Sequence, residues 1–199
     1  MIFVLATKNR DKENEFRALF SGLDVELRFL GDYPGAADVV EDGSTFEENA
    51  LKKARYAHEL TGEWALADDS GLEVEALGGA PGIYSSRYAG RKGDYDANNR
   101  KLMEELKEVP QGKRGARFVS VIAIVGGGNE YVVRGICEGE IAFEPRGKNG
   151  FGYDPIFYIP SLGKTMAELE PHVKNEISHR GNAFKRARKL LLEILKDSG

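Results

Sequence analysis

Ile2 to Ala6 is an unbroken apolar run, the pattern of a strand buried on both faces. Behind it, residues 11–20 set Phe16, Leu19 and Phe20 on one side of a charged segment, which predicts an amphipathic helix. Val25 to Leu30 alternates and predicts a second strand. Thr45-Phe46-Glu47-Glu48 has the spacing of a capping box, and Phe46, Ala50, Ala54 and Ala57 then recur at helical intervals. The apolar segment Trp64 to Ala67 predicts a strand that ends at Asp68-Asp69. A separate extended piece is predicted from Leu72 to Leu77.

The second half changes character. A polar helix is predicted over residues 94–108, ending before Pro110. Arg117 to Val125, the turn Gly126-Gly127-Gly128-Asn129, and Tyr131 to Phe143 predict a long β-hairpin. Residues 144–164 are rich in Gly and Pro and read as loop. A last helix is predicted from about 181 to 197, with Phe184, Ala187, Leu191 and Ile194 on its core face. Strand and helix first and long antiparallel hairpins later predict an α/β chain with a mixed sheet, rather than a doubly wound one.

Composition narrows the classes. The 199 residues are 41% hydrophobic and 30% charged, which suits one large globular domain or two small lobes sharing a core. A formal net charge of −4 leaves no basic footprint for nucleic acid, so a phosphate-bearing partner must be held by local Lys and Arg. Cys137 is the only cysteine; no disulfide can form within the chain, and a reducing compartment is implied. No apolar run reaches the ~20 residues needed to cross a bilayer. The first residues read as a strand rather than a signal peptide, so a soluble, cytoplasmic protein is expected.

Chemistry concentrates at a few places. Paired Asp68 and Asp69, followed by Ser70-Gly71, are hard oxygen ligands suited to Mg²⁺, and they are equally good turn chemistry. The first strand–helix turn, Thr7-Lys8-Asn9-Arg10-Asp11-Lys12, brings a hydroxyl, an amide and three basic side chains to a helix start, a candidate phosphate cradle. Glu41 stands just before the capping-box helix and is positioned to add a carboxylate to the Asp pair. Lys53 on that helix and Arg87 are candidate phosphate contacts. Lys174, His179 and Arg180 gather near the start of the last helix. No nucleotide fingerprint, zinc-ligand spacing or Gly-x-Ser-x-Gly elbow is present.

Six segments in order resemble the inosine triphosphate pyrophosphatase family, called RdgB-like in bacteria. They are Thr7-x-Asn9-x-x-Lys12, Thr45-Phe46-x-x-Asn49-Ala50, Ala67-Asp68-Asp69-Ser70-Gly71-Leu72, Gly78-Gly79-Ala80-Pro81-Gly82-Ile83-Tyr84-Ser85, Phe151-Gly152-Tyr153-Asp154-Pro155 and Lys174-Asn175-x-x-Ser178-His179-Arg180. Lys8 and Asp11 stand where the family often has glycines.

The resemblance implies a two-lobed, elongated mixed sheet flanked by helices, with the active site in the cleft between lobes, and a homodimer. It also implies Mg²⁺-dependent hydrolysis of ITP, dITP or XTP to the monophosphate and pyrophosphate. In that scheme Glu41, Asp68 and Asp69 hold the metal and Asp69 is the catalytic base. Residues Thr7 to Lys12, Lys53 and Ser70 contact the phosphates. Phe151 and Tyr153 wall the purine, Gly152 and Asp154 beside them also bind substrate, and Lys174, His179 and Arg180 read its edge. Competing readings are a Maf-type nucleotide pyrophosphatase, against which Ser178-His179-Arg180 argues, and a non-catalytic nucleotide sensor, which would not need three carboxylates beside a polyphosphate.

Overall fold

The computed structural model describes residues 1–197. Seven strands form one sheet in the order β2-β1-β3-β4-β5-β6-β7. The strands are β1 (Ile2–Leu5), β2 (Glu26–Phe29), β3 (Trp64–Val74), β4 (Gly115–Gly126), β5 (Asn129–Ile141), β6 (Phe157–Ile159) and β7 (Lys164–Thr165). The helices are α1 (Arg10–Phe20), α2 (Phe46–Thr61), α3 (Tyr95–Glu105), α4 (Pro171–Ile177) and α5 (His179–Asp197). β1 pairs in parallel with β2 and with β3, while β5–β6 and β6–β7 are antiparallel, so the sheet is mixed as its sequence predicts.

Three predictions are corrected. The strand predicted to stop at Asp68-Asp69 runs on through Ser70 and Gly71 to Val74, and Glu75–Leu77 is a short 3₁₀ turn. The turn reading of Asp-Asp-Ser-Gly loses because the segment lies between β1 and β4 in the sheet, where its backbone finds ladder partners. The Gly/Pro-rich stretch is not all loop, since it holds β6 and part of β7. A helix absent from the sequence reading, α4, starts at Pro171, whose missing N–H costs nothing at a first helical position.

The chain divides into two compact units, each assembled from separate segments. The first comprises Met1–Asp69, Ser120–Gly135 and the chain from Arg180; the second comprises Ser70–Val119 and Ile136–His179. In the first unit, Phe3, Leu5 and Leu66 of the sheet pack with Phe16 and Phe20 of α1 and with Ala183, Phe184, Ala187 and Leu191 of α5. Val4, which alternation turns to the other face, is equally buried, and α2 packs on β1 with Ala50, Ala54 and Ala57 buried. In the second unit Leu72, Val74, Leu102, Phe118, Ile156, Phe157 and Met166 form a separate core.

Local chemistry fixes the helix ends. Asn9 Oδ1 caps α1 by accepting from the Asp11 and Lys12 amides at 2.9 and 3.3 Å. Thr45 Oγ1 accepts from the Glu48 amide at 3.1 Å, and Gly62 closes α2 with a left-handed φ of 72°. Only half of the predicted capping box forms, because the Glu48 carboxylate turns to Ser44 instead.

Phe184 anchors α5 on the sheet, with its ring 4.9 Å from that of Phe20 and edge-on to Phe16 at 6.4 Å. Phe184→Ala is therefore expected to lower unfolding free energy by about 4 kcal/mol. Urea denaturation followed by circular dichroism checks this; a loss under ~1 kcal/mol would mean the ring is not a core anchor.

Candidate active site

Successive side chains of a strand point to opposite faces, so Asp68 and Asp69 part company. Asp68 shares the parity of Leu66, which packs against α1 and α5, and its partners come from those two helices. Its Oδ2 lies 2.7 Å from Lys12 Nζ and 3.2 Å from Arg180 Nη2, and its Oδ1 accepts from Ser120 Oγ at 2.6 Å. Arg180 is also paired with Glu15 of α1. Burial by itself would raise the Asp68 pKa, but Arg180 and Lys12 outweigh it and hold the carboxyl well below the usual range. Lys12 is lowered, chiefly by burial, against the pull of Asp68.

Asp69 faces α2. Its Oδ1 accepts from Lys53 Nζ at 2.7 Å, and the same ammonium donates to Glu41 Oε1 at 2.9 Å and to the Asp68 carbonyl at 2.9 Å. Burial opposes the charge on Lys53, yet Asp69 and Glu41 together raise its pKa, so it remains an ammonium. Asp69 moves the other way from its neighbour. Burial raises its pKa despite Lys53 and Lys12. One carboxylate of the pair is thus locked in its ionised form, while the other is the better proton acceptor.

The donor chemistry suits a hard cation in part. Glu41 and Asp69 converge on one cationic point, now the Lys53 ammonium, and Mg²⁺ usually takes one or two carboxylates with phosphate oxygens and waters. Asp68 does not join them, because both of its oxygens are engaged by Lys12, Arg180 and Ser120. Among the described residues no group of three His, Cys, Asp or Glu side chains is gathered to hold a metal. Of the three carboxylates expected from the resemblance, Glu41 and Asp69 face one point and Asp68 faces another.

The first turn is less uniform than its sequence suggests. Thr7 Oγ1 accepts from the Asn9 amide at 3.1 Å, and both residues shape the turn while Lys12 alone reaches the carboxylates. Lys8 leans away, donating to the Ala36 carbonyl at 2.9 Å and pairing with Asp38 at 3.1 Å. Arg10 is exposed. Asp11 sits in the first turn of α1, where a negative charge complements the helix dipole.

The second unit carries its own cluster. Lys174 Nζ donates to Asp154 Oδ2 at 2.5 Å, and the same oxygen accepts from the Phe151 amide at 2.8 Å, pinning the 151–154 loop. Lys174 also lies 4.9 Å from the centre of the Phe151 ring, whose other aromatic neighbour is Tyr95 at 5.9 Å. Gly152 accepts at its carbonyl from Asn99 Nδ2 at 3.0 Å. His179 is buried and stacks on Phe118 with ring centres 4.6 Å apart. Ser70 is half-buried in β3.

Two expected roles change. Tyr153 is not an open purine wall: it is buried, and its hydroxyl donates to the Ser85 carbonyl at 2.9 Å. Arg180 does not stand with Lys174 and His179, because its guanidinium is committed to Asp68 and Glu15. Ser120 and Glu15 were missed from sequence. Ser120 left a signal, the lone hydroxyl inside the apolar run Phe118 to Val125; Glu15 left none among the many charges of α1.

A mixed sheet flanked by helices, bearing a buried lattice of carboxylates, lysines and arginine, defines the class to which comparison is apt. A sequence profile of the Ham1 family matches residues 3–190. The chain is 52% identical over 192 residues to the dITP/XTP pyrophosphatase of Desulforamulus reducens, covering 96% of each. It is 49% identical to the dITP/XTP pyrophosphatase of Geobacillus kaustophilus, covering 98% of this chain and 97% of that one. The solved structure of a HAM1 protein from Coxiella burnetii superposes with a TM-score of 0.88 at 45% identity, covering 97% of this chain and 99% of that one. The chain belongs to the Ham1 family.

Removing one member of a buried ion network strands the others. Asp68→Asn is expected to cost about 3 kcal/mol at pH 7. Because the Asp68 pKa is depressed on folding, its contribution is present above the unfolded carboxylate value and fades as pH falls below about 4. Denaturation midpoints of both proteins from pH 7 to pH 2.5 check this: the gap should narrow on acidification, and a constant gap would contradict the depressed pKa.

Proposed function

We propose that this protein hydrolyses deaminated purine nucleoside triphosphates, dITP, ITP and XTP, to the monophosphate and pyrophosphate with Mg²⁺. The reading includes a cytoplasmic homodimer that clears such nucleotides before a polymerase uses them. Full-length similarity to proteins named dITP/XTP pyrophosphatases supports the substrate class. The observation that carries the chemistry is the parting of the Asp pair, with Asp68 held by Lys12, Arg180 and Ser120 while Asp69 faces Glu41 across Lys53.

A general base needs a pKa lifted toward the working pH, and Asp69 has that property through burial. It takes the proton from the water that attacks the α-phosphorus. Lys12 and Lys53 hold phosphate oxygens by exchanging part of their carboxylate contacts for the substrate, positioning being most of the work in phosphoryl chemistry. Glu41 and Asp69 are the residues that would hold Mg²⁺, which when bound supplies Lewis-acid neutralisation of phosphate charge. Arg180 acts at one remove, keeping Asp68 ionised and Lys12 in place.

Phe151 offers an aromatic face on a loop made rigid by the Lys174–Asp154 pair. His179 supplies the donor for the purine 6-oxygen. A keto oxygen satisfies such a donor and the amino group of adenine does not, a difference able to discriminate by ~10⁴.

The test is pyrophosphate release from dITP, XTP and ATP with Mg²⁺ and with EDTA. Turnover of dITP and XTP should exceed that of ATP at least ~10²-fold, and EDTA should abolish it. Asp69→Asn should lower kcat by ~10²–10⁴-fold with an unchanged circular dichroism spectrum. Since the base works deprotonated, kcat/KM should fall as acid protonates Asp69. Equal turnover of ATP and dITP, or release of orthophosphate alone, would sink the reading. Light scattering of the eluted protein tests the dimer.

A further inference from the structure

The loop that carries Glu41 is tied to α2 residue by residue. Glu41 meets Lys53, Asp42 Oδ1 meets Lys52 Nζ at 2.5 Å, the Gly43 amide donates to Asn49 Oδ1 at 2.9 Å, and the Ser44 amide donates to Glu48 Oε2 at 2.7 Å. The Lys52 and Glu48 ties are exposed and therefore weak. Asn49 is different. It is almost fully buried at 1% exposure, and its Nδ2 has no hydrogen-bond partner among the described residues, so its amide is spent on the one bond to Gly43.

Gly43 is shaped to receive that bond. A Cβ there would lie 2.8 Å from Asn49 Oδ1 and 2.9 Å from Glu48 Cβ, so only a glycine lets the loop backbone approach so closely. The bond fixes the chain two residues beyond Glu41. An aspartate at position 49 would accept equally well, but would add a buried carboxylate to a region already holding Glu41, Asp68 and Asp69. Asparagine is the neutral acceptor of the same shape.

We infer that Asn49 is a positioning residue for the reaction. Through its bond to the Gly43 backbone it holds Glu41 where that carboxylate faces Asp69 across Lys53, and so it sets the affinity of the two-carboxylate cation site. The inference rests on the proposed role of Glu41 toward Mg²⁺, and the two can fail separately.

Mn²⁺ serves as the probe, its binding to the substrate-free protein read by electron paramagnetic resonance for wild type, Asn49→Ala, Glu41→Gln and the double variant, with Tm measured for each. Loss of an outer partner of a ligand commonly weakens metal binding by about tenfold or more, and that is the expected effect of Asn49→Ala. Glu41→Gln should weaken binding at least as much. In the double variant the Mn²⁺ affinity should equal that of Glu41→Gln alone, because Asn49 acts only through Glu41. A purely structural Asn49 would lower Tm and leave Mn²⁺ affinity unmoved, which overturns the inference, as does an additive loss in the double variant. Glu41→Gln without effect on Mn²⁺ overturns the metal role of Glu41 and the inference with it. Should Asn49→Ala fail to fold, Gly43→Ala breaks the same bond from the loop side and carries the same expectations.

Discussion

Two adjacent residues of a strand cannot share a face, and the site is organised by that constraint. Asp68 and Asp69 lie in the interior of β3, so one carboxylate is delivered to α1 and α5 and the other to α2. Each is then surrounded by what those helices carry. Lys12 and Arg180 come from the first turns of α1 and α5, and Lys53 from the second turn of α2. A turn at Asp68-Asp69 would have left both carboxylates in water with ordinary acidities. The strand buries them and makes their chemistry different.

Burial of this kind does not strengthen a fold. Taking several charges out of water costs free energy that their mutual attraction only partly returns, and an apolar replacement of similar shape is often as stable. The sheet around the pair is meanwhile apolar enough to hold without it, with Phe3, Leu5, Leu66, Ile122 and Ile124 on the face toward α1 and α5. The charges are therefore best understood through what they do to one another. Arg180 is the clearest case: it is among the largest fully buried side chains, and its two carboxylate partners raise its pKa further, so it serves as a permanent positive charge.

The elements that place these groups were largely legible in sequence, because each is written in a local pattern. The continuous run Ile2 to Ala6, the helical spacing of Phe46, Ala50, Ala54 and Ala57, and the hairpin around Gly127-Gly128 all match the fold. What escaped was tertiary. Asp-Asp-Ser-Gly has turn composition, and only its place between β1 and β4 makes it strand. Strands of two or three residues, β6 and β7, are too short to show a period. The partner of a buried charge is equally invisible: Arg180 and Glu15 lie 165 residues apart, and nothing in either neighbourhood announces the other. The resemblance named the acidic and basic residues, but could not sort them between the two faces of β3.

That sorting has an electrostatic consequence. On the Asp68 face two carboxylates, Asp68 and Glu15, meet Lys12 and Arg180. On the Asp69 face two carboxylates, Asp69 and Glu41, meet at the Lys53 ammonium. In the proposed reaction Glu41 and Asp69 would hold a divalent cation, which would supply neutralisation of the phosphate charge. Burial lifts the Asp69 pKa against the pull of Lys53 and Lys12, while Arg180 and Lys12 overcome burial at its neighbour and depress it. In the proposed reaction the base and the cation-holding carboxylates thus lie on one face of β3, and Asp68 on the other is the counter-charge of Lys12 and Arg180.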